Sequence, residues 1–192
     1  DDFGHDSRGG LRAGKRSVYE GGHRVPFLVR WPNGIRSPGR RIDALIGQID
    51  VLATLAEIVG AEVPENAAED SISFASLLRD PGAKPERRSL INHANGGRDF
   101  RYSITRDGWK LVLPDAKRAA ELYDLKSDRS ESKNLAAENR ERVAESMNEA
   151  SRIIARGTSR AGESQSNDTG YWDDLAWMTK AEYDRRAKAE RI

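Results

Sequence analysis

Four short runs in the second half of the chain, Leu90 to His93, Arg101 to Arg106, Trp109 to Leu113 and Glu121 to Leu125, repeat with a period of two and are rich in β-prone residues. Asp107-Gly108 stands between the middle pair. A two-residue type I′ turn needs positive φ at both central positions, which Asp and Gly tolerate, so the dipeptide predicts an antiparallel hairpin. This half is thereby confined to a small antiparallel meander. An amphipathic helix over Glu138 to Ala155, with Val143, Met147, Ala150 and Ile154 along one face, supplies its cover.

The first half has a different texture. Gly9, Gly10, Gly14, Gly21 and Gly22 are interleaved with Arg8, Arg12, Lys15, Arg16 and Arg24, a composition that predicts an irregular loop. Val25 to Trp31 follows as a nearly continuous apolar run closed by Pro32-Asn33-Gly34, as expected of a buried strand in a mostly parallel sheet. Ile46 to Gly60 reads as a helix with Asp50 as N-cap, an apolar stripe of Val51, Leu52, Leu55, Ile58 and Val59 facing the sheet, and Gly60 at C′. A shorter helix is expected around Ser73 to Leu78, before the breakers Pro81-Gly82 and Pro85. Gly157 to Thr169 reads as a polar connector, and Thr179 and Glu182 as the capping box of a charged terminal helix. The expected division is 1–87, 88–157 and 158–192.

Charge narrows the function. The 192 residues carry 32 Lys and Arg against 31 Asp and Glu, a net +1 with both signs intermixed, which argues against a nucleic-acid partner. No apolar run approaches the roughly 20 residues of a membrane span, so no membrane partner is expected. The chain has no Cys, which removes disulfides, thiolate metal sites and a Cys nucleophile from this segment. The opening Asp1-Asp2-Phe3-Gly4-His5-Asp6 has no initiator Met, basic n-region or apolar h-region and reads as a start in mid-protein, without a signal peptide.

In the first loop, glycines let a backbone approach a ligand and turn its N–H groups inward, while Lys15 adds a compact charge suited to a tetrahedral oxyanion. A solvated surface loop has the same composition. The aromatic residues Trp109, Tyr102 and Tyr123 read as core, whereas Tyr171 to Met178, with Trp172 and Trp177, either packs on the domain or docks near a substrate mouth.

The string Gly4-His5-Asp6-Ser7-Arg8-Gly9-Gly10-Leu11-Arg12-Ala13-Gly14-Lys15, followed by Tyr19-Glu20-Gly21-Gly22-His23-Arg24-Val25-Pro26 and a run ending in Trp31-Pro32, closely resembles the sulfatase family. The likeness continues through Asp50 and Thr54, Glu69 to Ser73, Arg106 to Leu111, and Glu121-Leu122-Tyr123-Asp124-Leu125 with Asp128, Glu131, Asn134 and Leu135. It implies an α/β fold: residues 1–87 would be the C-terminal part of an alkaline-phosphatase-like catalytic domain, with its sulfate-binding loop, strand and helix. Residues 88–157 would form a small α+β subdomain, a small antiparallel sheet with a covering helix, and 158–192 a connector with an aromatic and charged tail.

By the same resemblance, Lys15 matches a lysine that contacts the sulfate, and His5 stands where some branches place a substrate-contacting residue. Glu20, Gly21, Gly22, Arg24 and Pro26 are expected to shape the loop. The resemblance also implies a formylglycine nucleophile and Ca²⁺, a sulfated small molecule or polysaccharide as substrate, and a periplasmic or secreted parent protein. The formylglycine motif Cys/Ser-x-Pro-x-Arg is absent, Ser37-Pro38-Gly39-Arg40 having the wrong spacing, and Asp1-Asp2 imitates a calcium pair in letters only. No catalytic residue or metal ligand is therefore assigned within the chain; both are expected from an N-terminal catalytic part, without which the segment is inactive. Two alternatives stay open, a phosphoester or phosphonate hydrolase of the same superfamily and a non-catalytic module binding an anion or polysaccharide.

Overall fold

The computed structural model describes residue 4 and residues 6–86, 89–94, 101–167, 170–172 and 175–190. The chain divides into two compact units, one of residues 1–26, 91–151 and 172–179, the other of residues 27–90, 152–171 and 180–192. Residues 6–26 fall with the sheet, to which Arg12 and Glu20 pair through Tyr123 and Lys110.

In the first unit the meander forms as its periodicity requires. Strands β1 (Ser89–His93), β2 (Tyr102–Arg106), β3 (Trp109–Val112) and β4 (Glu121–Asp124) lie side by side in chain order. Ser103 pairs with Val112 and Arg106 with Trp109, and Trp109 in turn pairs with Asp124. The hairpin has φ of 53° at Asp107 and 82° at Gly108, the positive pair that the sequence predicts.

Alternation then sorts the side chains onto two faces. Thr105, Lys110 and Tyr123 are cross-strand neighbours and share a face with Val112. On that face Val112, Tyr123, Leu125 and Ala94 close over Val18 and Tyr19 of the glycine-rich loop. The opposite face takes helix α4 (Arg140–Arg156), whose Arg142 guanidinium lies 4.7 Å from the Trp109 ring centroid.

The aromatic segment joins this second face. Trp177 packs edge-on against Tyr102 at 5.3 Å, and its indole N–H donates to the Ser151 hydroxyl of α4 at 3.1 Å. His93 stacks on Tyr102 at 4.0 Å, with Trp172 beyond it at 5.8 Å. Trp177 is therefore a packing residue on the face away from the loop, and Trp172, 41% exposed, lies at the margin of the same aromatic group. Tyr102 and Tyr123 are buried as expected.

The second unit is built around helices α2 (Val51–Val59) and α3 (Ala75–Arg79). Phe74, Leu77 and Leu78 form its centre, with Trp31, Ile35, Ile46 and Ile58 packed against them. Gly60 ends α2 in the left-handed region at φ 72°, as a C′ glycine should. Asp50 stands at the N-cap position of α2 as expected, but its side chain makes no capping hydrogen bond to that helix. It is itself helical at the end of a 3₁₀ turn, and its carboxylate accepts the N–H groups of Gly47 at 2.8 Å and Ile72 at 2.9 Å. Thr54, one turn on, donates to the Asp50 carbonyl and accepts the Phe74 N–H, joining α2 to α3.

Two apolar surfaces lie open here. Val25 to Trp31 pairs with no strand among the described residues, whose sheet is the antiparallel meander, and a parallel strand exists only between neighbours. Val25, Phe27, Leu28 and Val29 are exposed, Leu28 by 89%, while Trp31 packs on the Phe74 cluster and Phe27 sits edge-on to Phe74 at 5.8 Å. The stripe of α2 likewise faces outward at Leu52, Leu55 and Val59, while Thr54 and Ile58 take the inner positions.

The connector after α4 turns back instead of running free. Gly157, at φ 72°, lets the Gln165 N–H reach the Arg156 carbonyl, and Ser159 donates twice to the Asp70 carboxylate. The terminal helix α5 (Lys180–Ala189) buries Tyr183, whose hydroxyl accepts from Asn167 Nδ2 at 2.6 Å.

Candidate functional site

Lys15 occupies the outer corner of a turn in which the Ser17 N–H donates to the Gly14 carbonyl at 3.2 Å. Arg16, the next corner residue, has φ of 75°, the value that position i+2 of a type II turn requires. Ala13 on the other side also lies in the left-handed region, at φ 59°. Two non-glycine residues in that region cost of order 1 kcal/mol each, so the surroundings must hold them. Lys15 itself is exposed.

What holds the turn is the neck of the loop. The Gly21 N–H donates to the Arg12 carbonyl at 2.9 Å, closing residues 12 to 21 into a ring. A Cβ on Gly21 would stand 2.5 Å from that carbonyl oxygen, and one on Gly22 only 2.1 Å from the Ser17 carbonyl oxygen. These two glycines, with Glu20, shape the loop as expected. Helix α1 (Glu20–His23) is the single turn that they open, and Glu20 is buried beneath it.

A buried layer of charge joins this neck to the sheet. The Lys110 ammonium, fully buried, lies 3.1 Å from Glu20 Oε1 and 2.9 Å from Glu131 Oε1. Arg24 closes on the other Glu20 oxygen at 2.6 Å. Burial alone would raise the Glu20 carboxyl, but Lys110, Arg24 and His23 outweigh it and hold it below the usual range. For Glu131 burial prevails over Lys110 and pushes the carboxyl up.

A second group lies beside the first. The Arg12 guanidinium stacks 3.7 Å from the Tyr19 ring centroid and donates to the Tyr123 hydroxyl at 2.6 Å and the Glu131 carbonyl at 3.0 Å. Buried Arg101 donates to Glu121 at 2.5 Å and to the Leu113 carbonyl. Tyr19 and Tyr123 both donate to the same Glu121 carboxylate. Burial and the adjacent carboxylate push Tyr19 up to about 12 and raise Tyr123 as well.

The glycines at the head of the loop do something other than the sequence suggests. The Arg8 and Gly10 N–H groups each donate at 3.0 Å to the Asp6 carboxylate, and the Arg8 side chain pairs with it. These bonds hold Asp6 down to about 2. The amides of Arg8 and Gly10 thus already hold an internal carboxylate. His5 lies outside the described residues, as do Asp1 and Asp2.

Among the described residues no group of three or more His, Cys, Asp or Glu side chains is arranged to hold a metal ion. None of their helices is long and apolar enough to cross a membrane.

The family model for N-sulphoglucosamine sulphohydrolase, C-terminal, matches residues 12–154. An N-acetylgalactosamine-6-O-sulfatase of Bacteroides thetaiotaomicron is 35% identical over 156 residues, covering 74% of this chain and 29% of the relative. Among solved structures, a 6S-sulf protein from a glycosaminoglycan-metabolism locus of the same bacterium superposes with a TM-score of 0.70 at 30% identity, over 80% of this chain and 34% of the other. A second, solved with its substrate D-glucosamine-2-N,6-O-disulfate, has a TM-score of 0.53 at 25% identity, over 62% of this chain and 26% of the other. The chain thus spans about a third or less of these relatives. The matched region contains Lys15, the closed neck and the whole charged layer beneath it, and the chain belongs to the sulfatase family, of which it represents the C-terminal portion.

Proposed function

We propose that this chain serves a sulfuric ester hydrolase by presenting Lys15 to the sulfate group of the substrate. The observation that carries the reading is the contrast between an exposed ammonium and the rigid, buried frame beneath it. A lysine at the corner of a turn fixed by two left-handed residues and a closed neck is preorganised, and a preorganised cation stabilises charge developing on ester oxygens. His5 is assigned to the same sulfate by the resemblance alone.

The substrate class is a sulfated saccharide. Its support is the relatives: one is named for N-acetylgalactosamine 6-O-sulfate, and another was solved with a disulfated glucosamine. In the whole enzyme a formylglycine would attack the sulfur and Ca²⁺ would bind the sulfate, both supplied by polypeptide outside this chain. The whole protein is assigned to the periplasm or the exterior.

The test is turnover of 4-nitrophenyl sulfate. The 192-residue chain alone should show none, while the longer protein that includes a Cys/Ser-x-Pro-x-Arg segment should be active. In that protein Lys15→Ala should lower kcat/KM by about 10²- to 10³-fold, the range for loss of one preorganised charge-stabilising group. Turnover by the chain alone, or an unchanged rate in the variant, refutes the reading. Preference for 4-nitrophenyl phosphate moves the assignment to a phosphoester hydrolase, and sulfated-saccharide binding without turnover moves it to a binding module.

A further inference from the structure

We infer that Glu131 is a positioning residue for Lys15, acting on both ends of the loop that carries it; this rests on the sulfate-binding reading of Lys15. Three oxygens of Glu131 meet the loop and the sheet. Its carbonyl accepts from Arg12 at 3.0 Å, three residues before Lys15. Its Oε2 accepts the Glu20 N–H at 2.6 Å, five residues after. Its Oε1 faces Lys110 on β3 at 2.9 Å. The loop between Arg12 and Glu20 is therefore clamped at entry and exit by one residue that is itself bonded to the strand.

The clamp is built at some cost. Glu131 has φ of 54°, left-handed for a long side chain, and its carboxylate is buried. A neighbouring carboxylate keeps it there: Asp128 accepts the N–H groups of Ser132 at 2.8 Å and Lys133 at 2.9 Å, shaping the bend from which Glu131 turns inward. A backbone outlier aimed at a buried charged layer is the arrangement expected where strain serves function. Neither the sequence pattern nor the resemblance gives Glu131 a role of this kind.

The experiment is amide hydrogen exchange, read residue by residue by NMR, on the full chain and on Glu131→Gln and Glu131→Ala. Loop reporters are Ser17 and Gly21, whose N–H groups bond within the loop; sheet reporters are Leu113 and Leu125. We expect exchange at Ser17 and Gly21 to rise about tenfold or more in Glu131→Ala while Leu113 and Leu125 change less than about twofold, a local opening and not a global one. Glu131→Gln, which keeps an acceptor for the Glu20 N–H, should restore part of that protection. Equal acceleration at all four reporters, or none at the loop, overturns the positioning role. Should the alanine variant not fold, the glutamine variant carries the same comparison.

Inorganic sulfate titrated into the same samples separates this inference from the reading beneath it. Sulfate should shift the Lys15 and Arg16 amides of the wild-type chain, more weakly in Glu131→Gln, and not in Lys15→Ala. If sulfate leaves Lys15 unmoved while Glu131→Ala still loosens the loop alone, the clamp stands and its sulfate purpose falls. If Lys15→Ala abolishes sulfate shifts that both Glu131 variants retain in full, the clamp is refuted and the reading of Lys15 stands.

Discussion

The ammonium of Lys110 lies 3.0 Å from Nε2 of His23, at the margin of the buried layer shared with Glu20 and Glu131. Burial, and then repulsion from Lys110, depress the His23 pKa below its ordinary value of 6.5, with Glu20 pulling the other way. The unfolded chain takes up this proton before the native chain does, so native stability is lost as pH falls below about 6.5. Glu20 and Glu121, held low, act in the same direction at more acid pH, whereas Glu131, held high, opposes them above 4.5. The melting temperature should fall between pH 7 and pH 5, and His23→Gln should flatten that slope by at most about 1.4 kcal/mol per pH unit. An identical slope in the variant refutes the linkage.

Lys110 itself is the keystone of the layer. Replacing it with Met leaves two carboxylates buried without their shared cation, which should cost about 3–5 kcal/mol. Changing all three members together, Glu20→Gln, Lys110→Met and Glu131→Gln, removes the charges along with their need for one another and should cost less than the single change. Denaturant midpoints at pH 7 make the comparison, and a triple variant weaker than Lys110→Met would show that the ion pairs contribute net stability.

Much of the first unit was legible because its signals are local. Period-two runs and Asp107-Gly108 specify the meander without reference to anything distant, and Gly60 specifies the end of α2 in the same way. The buried layer was not read, yet a signal existed. Trp109-Lys110-Leu111-Val112-Leu113 is apolar on both faces apart from Lys110, and a lysine inside such a strand requires a buried carboxylate partner. Which carboxylate could not follow from spacing: Glu20 and Glu131 lie 90 residues before and 21 after. The stripe of α2 misled for the opposite reason, because an apolar pattern says that a face needs a cover and not where the cover comes from.

The necessity of the neck glycines can be tested directly. In Gly22→Ala the new methyl would meet the Ser17 carbonyl, backbone that cannot swing aside, so stability should drop by roughly 1–3 kcal/mol, as overpacking does elsewhere. Gly10 offers a contrast: nothing lies within 4 Å of an added Cβ, and the penalty there arises only from its φ of 79°. Gly10→Ala should therefore cost less than Gly22→Ala in thermal or denaturant unfolding. Equal losses would mean that the close approach at the neck relaxes freely.

In the second unit Phe27, Leu28, Val29, Ile42, Ile49, Leu52, Leu55 and Val59 are all exposed, Leu28 by 89% and Val59 by 74%. Isolated apolar residues on a surface need no cover, but eight within residues 27–59 is the composition of a buried layer. In water that surface drives association at about 25 cal/mol per Å² buried. The 192-residue chain should therefore sediment as concentration-dependent oligomers. Because Leu28, Leu55 and Val59 are not among the residues packed on the unit's own centre at Phe74, Leu77 and Leu78, the triple change Leu28→Lys, Leu55→Lys and Val59→Glu should yield a monomer whose melting temperature is unchanged or higher. A wild-type chain that stays monomeric at high concentration, or a triple variant that unfolds, would show that these residues already pack within the chain.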